Sequence, residues 1–328
     1  LHVRSRRQRQ MCIRDREEGE PMKKLFRGII LFIYMITLFI VCHAMAEEAK
    51  NDEAYSITTK QDILTMMMAY PEYINDIEKS SDGKVFIITK SGKKILYDDG
   101  KKKNFDGKMN NADIQDILEE PYPLNMIDHL MEVNKDPGRF RCYALLNEVY
   151  GASQSQVSKH LVGVSAPYNK YLFNKNNGAA EALGKAMEEL RGIASGNGKV
   201  AGLIDPINGS FNYRVISGTG QLSPHAYGIA LDINSSPSDY WKWATREAGE
   251  KRMKYYPKEL VETFEKYNFV WGGKWGHFDI LHFEYRPEII IKAKYFQNGS
   301  FTKDKWFGDV PMNEEVESYI KKINEALD

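Results

Sequence analysis

Apolar residues recur at helical spacing in several stretches of the chain. Over residues 179–193, Ala180, Leu183, Ala186, Leu190 and Ile193 fall on one face of a predicted helix. Pro257 takes the favoured first position of another, whose apolar stripe is Leu260, Val261, Phe264 and Tyr267. Residues 139–150 read as a helix ending at Gly151, residues 55–77 as a further helix, and residues 315–327 as a C-terminal amphipathic helix carrying Val316, Ile320, Ile323 and Leu327. Residues 84–90 and 93–97 flank Ser91-Gly92, the pattern of a β-hairpin around a glycine turn. Short apolar strands are expected over 211–216, 228–233 and 281–285. Helices and short strands mix without a regular βαβ rhythm. The expected class is therefore α+β, with a small antiparallel sheet flanked by helices and a small N-terminal unit containing the hairpin.

With 42% hydrophobic residues the chain can bury a sizeable core. Lys+Arg and Asp+Glu both number 45. That balance gives no electrostatic argument for nucleic acid or an anionic membrane surface. Residues 1–21 are Arg/Gln-rich without periodicity and are read as a non-native leader. Residues 22–46 combine a basic start, an apolar run and a small-residue cleavage site at Ala44 and Ala46, the layout of a secretory signal peptide. Val41 before Cys42 argues against a lipoprotein site. Beyond Ala46 the reading is a small N-terminal unit over 47–120 that shows no chemistry, a main domain over 121–310 and the C-terminal helix over 311–328. Cys142 is the one cysteine past Ala46, so no disulfide forms there, and its apolar neighbours mark it as a buried small hydrophobe.

Two segments carry the chemistry. His225 precedes Asp232 in the first, and Asp279 stands one turn before His282 in the second. Side chains alternate along 228–233, so Gly228, Ala230 and Asp232 share one face and Ile229, Leu231 and Ile233 the other. A carboxylate after two tiny residues faces open space and needs a partner, because an unpaired buried charge is costly. A metal ion is one such partner, and His225 can lean over the same space. His282 opens the next strand on the same side as Glu284. Two imidazoles and a carboxylate, with a second carboxylate beside them, suit a catalytic zinc site: three groups bind, a fourth position is left to water, and Asp279 moves protons. Trp271, Trp275, Phe278 and Phe283 give Asp279 apolar surroundings that raise its basicity. His277 is the competing ligand, but it follows Gly276 and reads as a supporting or exposed residue; His129 and His160 lack comparable neighbours.

The pattern Ser223-x-His225-x-x-Gly228-x-Ala230-x-Asp232, followed by Asp279-x-x-His282 and the Trp271-Gly-Gly segment, resembles the zinc-dependent D-alanyl-D-alanine carboxypeptidases of the VanY type. These share a fold with lysostaphin-like enzymes and the hedgehog signalling domain. The resemblance covers roughly residues 122–290. It implies zinc ligands His225, Asp232 and His282 and a general base at Asp279, where many members carry Glu. It also implies an arginine upstream of the first histidine that contacts the substrate and the developing oxyanion. Arg214 fits that place, on the strand face opposite Phe211, Tyr213 and Val215.

The resulting expectation is a secreted or periplasmic zinc peptidase with one zinc ion per chain. It acts on peptidoglycan stem peptides in the manner of a D,D-carboxypeptidase, with Ser223, Tyr227 and Trp275 shaping the peptide pocket. Nucleic acid and stable membrane insertion after signal cleavage are not expected. One alternative is an endopeptidase on the same stem peptides. Another is a non-catalytic zinc-containing cell-wall module, which would have no need of Asp279.

Overall fold

The computed structural model describes residues 50–166, 169–297, 299 and 301–328, with scattered helical positions between 32 and 47. The expected leader and most of the expected signal segment, Ala46 included, lie outside the described residues. Among the described residues no helix is long and apolar enough to cross a membrane. The chain divides into two compact units, Leu1–Ser56 and Ile57–Asp328, and the second holds the site.

Residues 57–69 are helical (α1) and bury Ile63, Leu64, Met66 and Met67. The expected continuation to Ile77 fails at Pro71, which lacks the amide hydrogen a helix needs and disfavours helical backbone at Tyr70. Instead β1 (Ile74–Lys79) pairs antiparallel with β2 (Val85–Thr89), and β2 with β3 (Lys94–Leu96). The β2–β3 pair is the hairpin read from the sequence, turned by Gly92 at φ +84°. Two short helices follow, α2 (Phe105–Asn111) and α3 (Ile114–Leu118), capped by the side chains of Asn104 and Asp113.

Helix α4 (Tyr143–Tyr150) ends at Gly151 as expected but begins later than residue 139. Arg139 and Arg141 stay outside it because their guanidinium groups are drawn into buried polar contacts with the site. After α5 (Gln154–Ser158), β4 (Leu161–Ser165) and β5 (Lys170–Asn174) form a separate antiparallel pair. The apolar stripe of α6 (Ala179–Ala194) is buried at Ala180, Leu183, Ala186 and Leu190. Helix α7 (Gly198–Ile204) leads toward the site.

Residues 211–216 are not a strand. Only Val215 bridges, to Leu222, and the backbone folds back on itself through Ile216 N–H to Gln221 O (2.8 Å) and Ser223 N–H to Arg214 O (3.0 Å). Gly218, at φ +83°, permits that turn. Next come α8 (Pro224–Tyr227), β6 (Ala230–Asp232), α9 (Arg246–Met253), α10 (Lys258–Lys266), β7 (Phe269–Trp271) and β8 (His282–Tyr285). Pro257 sits one residue before α10 rather than inside it, and Leu260, Val261 and Phe264 are buried as expected. The sheet order is β6-β8-β7, antiparallel throughout, so the α+β class holds. Helix α10 covers β7 and α6, Phe264 stacking on Phe283 at 4.1 Å. After α11 (Pro287–Tyr295), α12 (Glu314–Leu327) packs on β1 through its buried Val316, Ile320, Ile323 and Leu327.

Candidate active site

Strand pairing brings the first two groups together. Asp232 and His282 are direct partners in the antiparallel register of β6 and β8. His282 Nδ1 lies 3.0 Å from Asp232 Oδ1. His225 comes from α8, a four-residue turn that its local sequence dictates. Pro224 opens it, the Ser223 hydroxyl caps it by accepting the His225 amide, and Gly228 closes it at φ +69°. A Cβ at Gly228 would also stand 3.2 Å from the Asn174 backbone nitrogen, so space there is tight as well. The strand expected from Gly228 is thereby shortened to Ala230–Asp232, and His225 is a helical residue. Its Nε2 reaches 3.3 Å from both Asp232 Oδ1 and His282 Nδ1. These three atoms converge closely enough to hold one metal ion.

The far side of the His225 ring is fastened, and that of the His282 ring faces a carboxylate. His225 Nδ1 donates to the Ser210 carbonyl at 2.6 Å, which leaves Nε2 as a lone-pair donor toward the centre. His282 Nε2 faces Glu284 Oε2 at 3.5 Å, leaving Nδ1 for the same centre. Glu284 is fully buried and takes a forked contact from Arg141, at 2.9 Å from Nε and 2.5 Å from Nη2. Burial works against its charge, but Arg141 and the hydrogen bond from His282 hold the carboxyl well below the usual range. Burial likewise opposes the charge of Asp232, and its hydrogen bonds from His225 and His282 outweigh that, keeping it ionised. Burial would lower His282, yet the bonds to Asp232 and Glu284 lift it to about 9. Two imidazole nitrogens with one carboxylate oxygen, converging on one point, suit zinc.

Asp279 stands at the mouth of β8, its backbone bridging to Tyr240 and its amide bonded to Gly272 O at 2.9 Å. A side chain at Gly272 would collide with the Asp279 carbonyl, which accounts for the glycine there. Burial raises the Asp279 carboxyl above its ordinary value; the charge of His282 pulls it down, the Asp232 carboxylate pushes it up, and Arg139 and His225 pull it down. Asp279 is thus electrostatically coupled to all three convergent groups. Arg139, buried between the rings of Trp275 (4.8 Å) and Phe105 (5.9 Å), donates to the His277 carbonyl at 2.5 Å. His277 is not one of the convergent groups: its Nδ1 and amide are held by the buried Asp136, at 2.8 and 2.9 Å.

Other expected site residues are placed as follows. The Ser223 hydroxyl caps α8, and the Tyr227 hydroxyl donates to Asn147 Oδ1 at 2.7 Å. Trp275 packs its ring 5.6 Å from that of His282 and donates to the Pro137 carbonyl at 2.8 Å. All three are buried. Arg214 is exposed and makes no ion pair among the described residues; its charge acts on the Tyr240 phenol, as does that of Asp279. Sequence reasoning missed Arg141, Glu284 and Arg139 as site residues. Two signals pointed to them: arginines inside the apolar run Phe140-Arg-Cys-Tyr, and an acid two residues past His282 on the same strand face. Among the described residues the other acidic cluster that could hold a metal is Asp98, Asp99 and Asp113, of which Asp99 and Asp113 already pair with the Lys103 ammonium at 3.1 and 2.8 Å.

Residues 217–285 match the family model described as D-alanyl-D-alanine carboxypeptidase. The match supports a carboxypeptidase-like peptidase of that kind. It contains His225, Asp232, Asp279 and His282, while Arg214 and the clamp residues Arg139 and Arg141 lie before it. No curated protein and no solved structure matches the chain.

Proposed function

We propose that the protein is a zinc-dependent peptidase that hydrolyses peptidoglycan stem peptides at a D-Ala-D-Ala terminus. The observation that carries this is the convergence of His225 Nε2, Asp232 Oδ1 and His282 Nδ1, with the half-buried carboxylate of Asp279 in their electrostatic reach. His225, Asp232 and His282 would hold the metal. A bound zinc ion supplies Lewis-acid polarisation of the scissile carbonyl and brings the pKa of a water molecule near 7.

The remaining work falls to side chains. Asp279 accepts a proton on its carboxylate from the attacking water and returns it to the leaving amine. Its raised basicity suits both transfers. Arg214, with no competing ion pair among the described residues, offers its planar fork to a substrate carboxylate or to the charge that develops on the carbonyl oxygen. Glu284 and the Ser210 carbonyl orient the two imidazoles, and Trp275 walls the site beside His282. A cell-wall substrate agrees with export, as the basic and apolar segment over 22–46 suggests. A module that only bound zinc would have no use for Asp279. Mass analysis of purified peptidoglycan after digestion tests the reading. Release of a single C-terminal D-alanine supports it, cross-link cleavage points to an endopeptidase, and unchanged material refutes it.

A further inference from the structure

Four of the five tryptophans serve the interior: Trp271, Trp275 and Trp306 are at most 2% exposed and Trp241 is partly buried, whereas Trp243 is 71% exposed. An indole left in water on a fixed scaffold forgoes a large apolar contact and signals a surface that something covers. Trp243 is not loose. Its amide donates to the Tyr240 carbonyl at 2.9 Å, closing a turn, and its ring meets that of Tyr240 at 5.0 Å and 70°. Tyr240 in turn bridges Asp279 by backbone, the Trp241 amide donates to the Phe278 carbonyl at 3.0 Å, and the Tyr240 phenol senses the charges of Asp279 and Arg214. An aromatic surface therefore begins at the proposed base and runs outward, through Tyr240 to Trp243, into solvent.

We propose that Tyr240 and Trp243 form a stacking platform for the glycan strand that carries the stem peptide. The inference rests on the peptidoglycan reading above and deepens it. A pyranose ring presents a flat face of C–H groups that packs on an indole and asks for no countercharge, which suits the exposed ring of Trp243. The peptide carries the carboxylates that match Arg214. Because the two are covalently joined, a peptide seated at Asp279 keeps its sugar within the extended length of the stem peptide, about 3.5 Å per residue, of that residue. The platform makes polymeric wall, rather than free peptide, the preferred substrate.

The test compares Trp243→Ala with wild type, both zinc-loaded, on intact peptidoglycan and on free stem peptide. The ratio of kcat/KM on polymer to that on free peptide should fall about tenfold in the variant, the effect of losing one good aromatic contact, and Trp243→Phe should recover most of it. Peptide-free glycan strands, titrated into each protein and followed by tryptophan fluorescence, should bind about tenfold more weakly to Trp243→Ala. An unchanged ratio, or equal glycan binding by both proteins, overturns the platform. Failure of wild type to cleave either substrate would overturn the peptidase reading instead, and the glycan titration would still decide the platform.

Discussion

The Glu284 carboxylate lies 3.5 Å from Nε2 of His282, on the far side of the imidazole from Asp232. In the proposed metal site it would set which ring nitrogen of His282 faces the ion. Arg141 and Arg286 hold Glu284 from behind, Arg286 Nη1 at 3.5 Å, and Arg286 also donates to the carbonyls of Gly138 and Phe140 at 2.9 Å. Residues 138–141 are in this way fastened to the strand that carries His282.

Glu284→Gln should weaken zinc binding by roughly 10–100-fold, the usual effect of losing an outer carboxylate on a metal-bound histidine. It should also destabilise the fold by about 3–5 kcal/mol, because Arg141 stays buried without its anion. Chelator competition on folded protein, alongside denaturant melts, separates the two effects. Unchanged zinc affinity would remove Glu284 from the site.

Asp279→Ala should keep zinc and fold while losing roughly 10²–10⁴-fold in turnover, the contribution of a positioned base. Asp279→Glu should retain part of the activity. Metal content and kcat on one stem peptide decide this, and wild-type turnover in the alanine variant would end the role of Asp279 as base.

Arg214→Lys should lower kcat/KM by about tenfold or more, since the ammonium keeps the charge but loses the fork. Zinc content and melting temperature should hardly move, because Arg214 is exposed and makes no ion pair among the described residues. Parallel losses of activity and stability would instead show a structural residue.

Burial pushes the Cys142 thiol up to about 11 from its ordinary 9.0. The folded state thus favours the protonated thiol. This contribution is fully present below the unfolded value and is lost as pH rises from about 9 toward 11. At about pH 8, native protein should react with iodoacetamide far more slowly than denatured protein. Rapid native labelling would show an accessible thiol and a different packing around α4.

The fold was legible wherever one periodicity ran uninterrupted. Helices α6, α10 and α12 and the β2–β3 hairpin follow from their apolar stripes and the turn at Gly92. It was not legible where tertiary contacts override local pattern. Residues 139–142 carry a helical apolar spacing, but the ion pair of Arg141 with Glu284 keeps them out of α4. Residues 211–216 alternate like a strand, yet their hydrogen bonds go to residues 221–225 rather than to a sheet. The convergence of His225, Asp232 and His282 could be read because small residues and glycines surround them. Their supports could not, because Ser210 acts through its backbone carbonyl and Arg141 comes from far along the chain.

The most direct test strips wild-type protein of metal with a chelator and follows hydrolysis of a stem peptide ending in D-Ala-D-Ala as zinc is returned. The account predicts no hydrolysis without metal and full recovery at about one zinc per chain, with His225→Ala silent at every zinc concentration. Hydrolysis that persists in metal-free protein, or recovery in the His225→Ala variant equal to that of wild type, would contradict it.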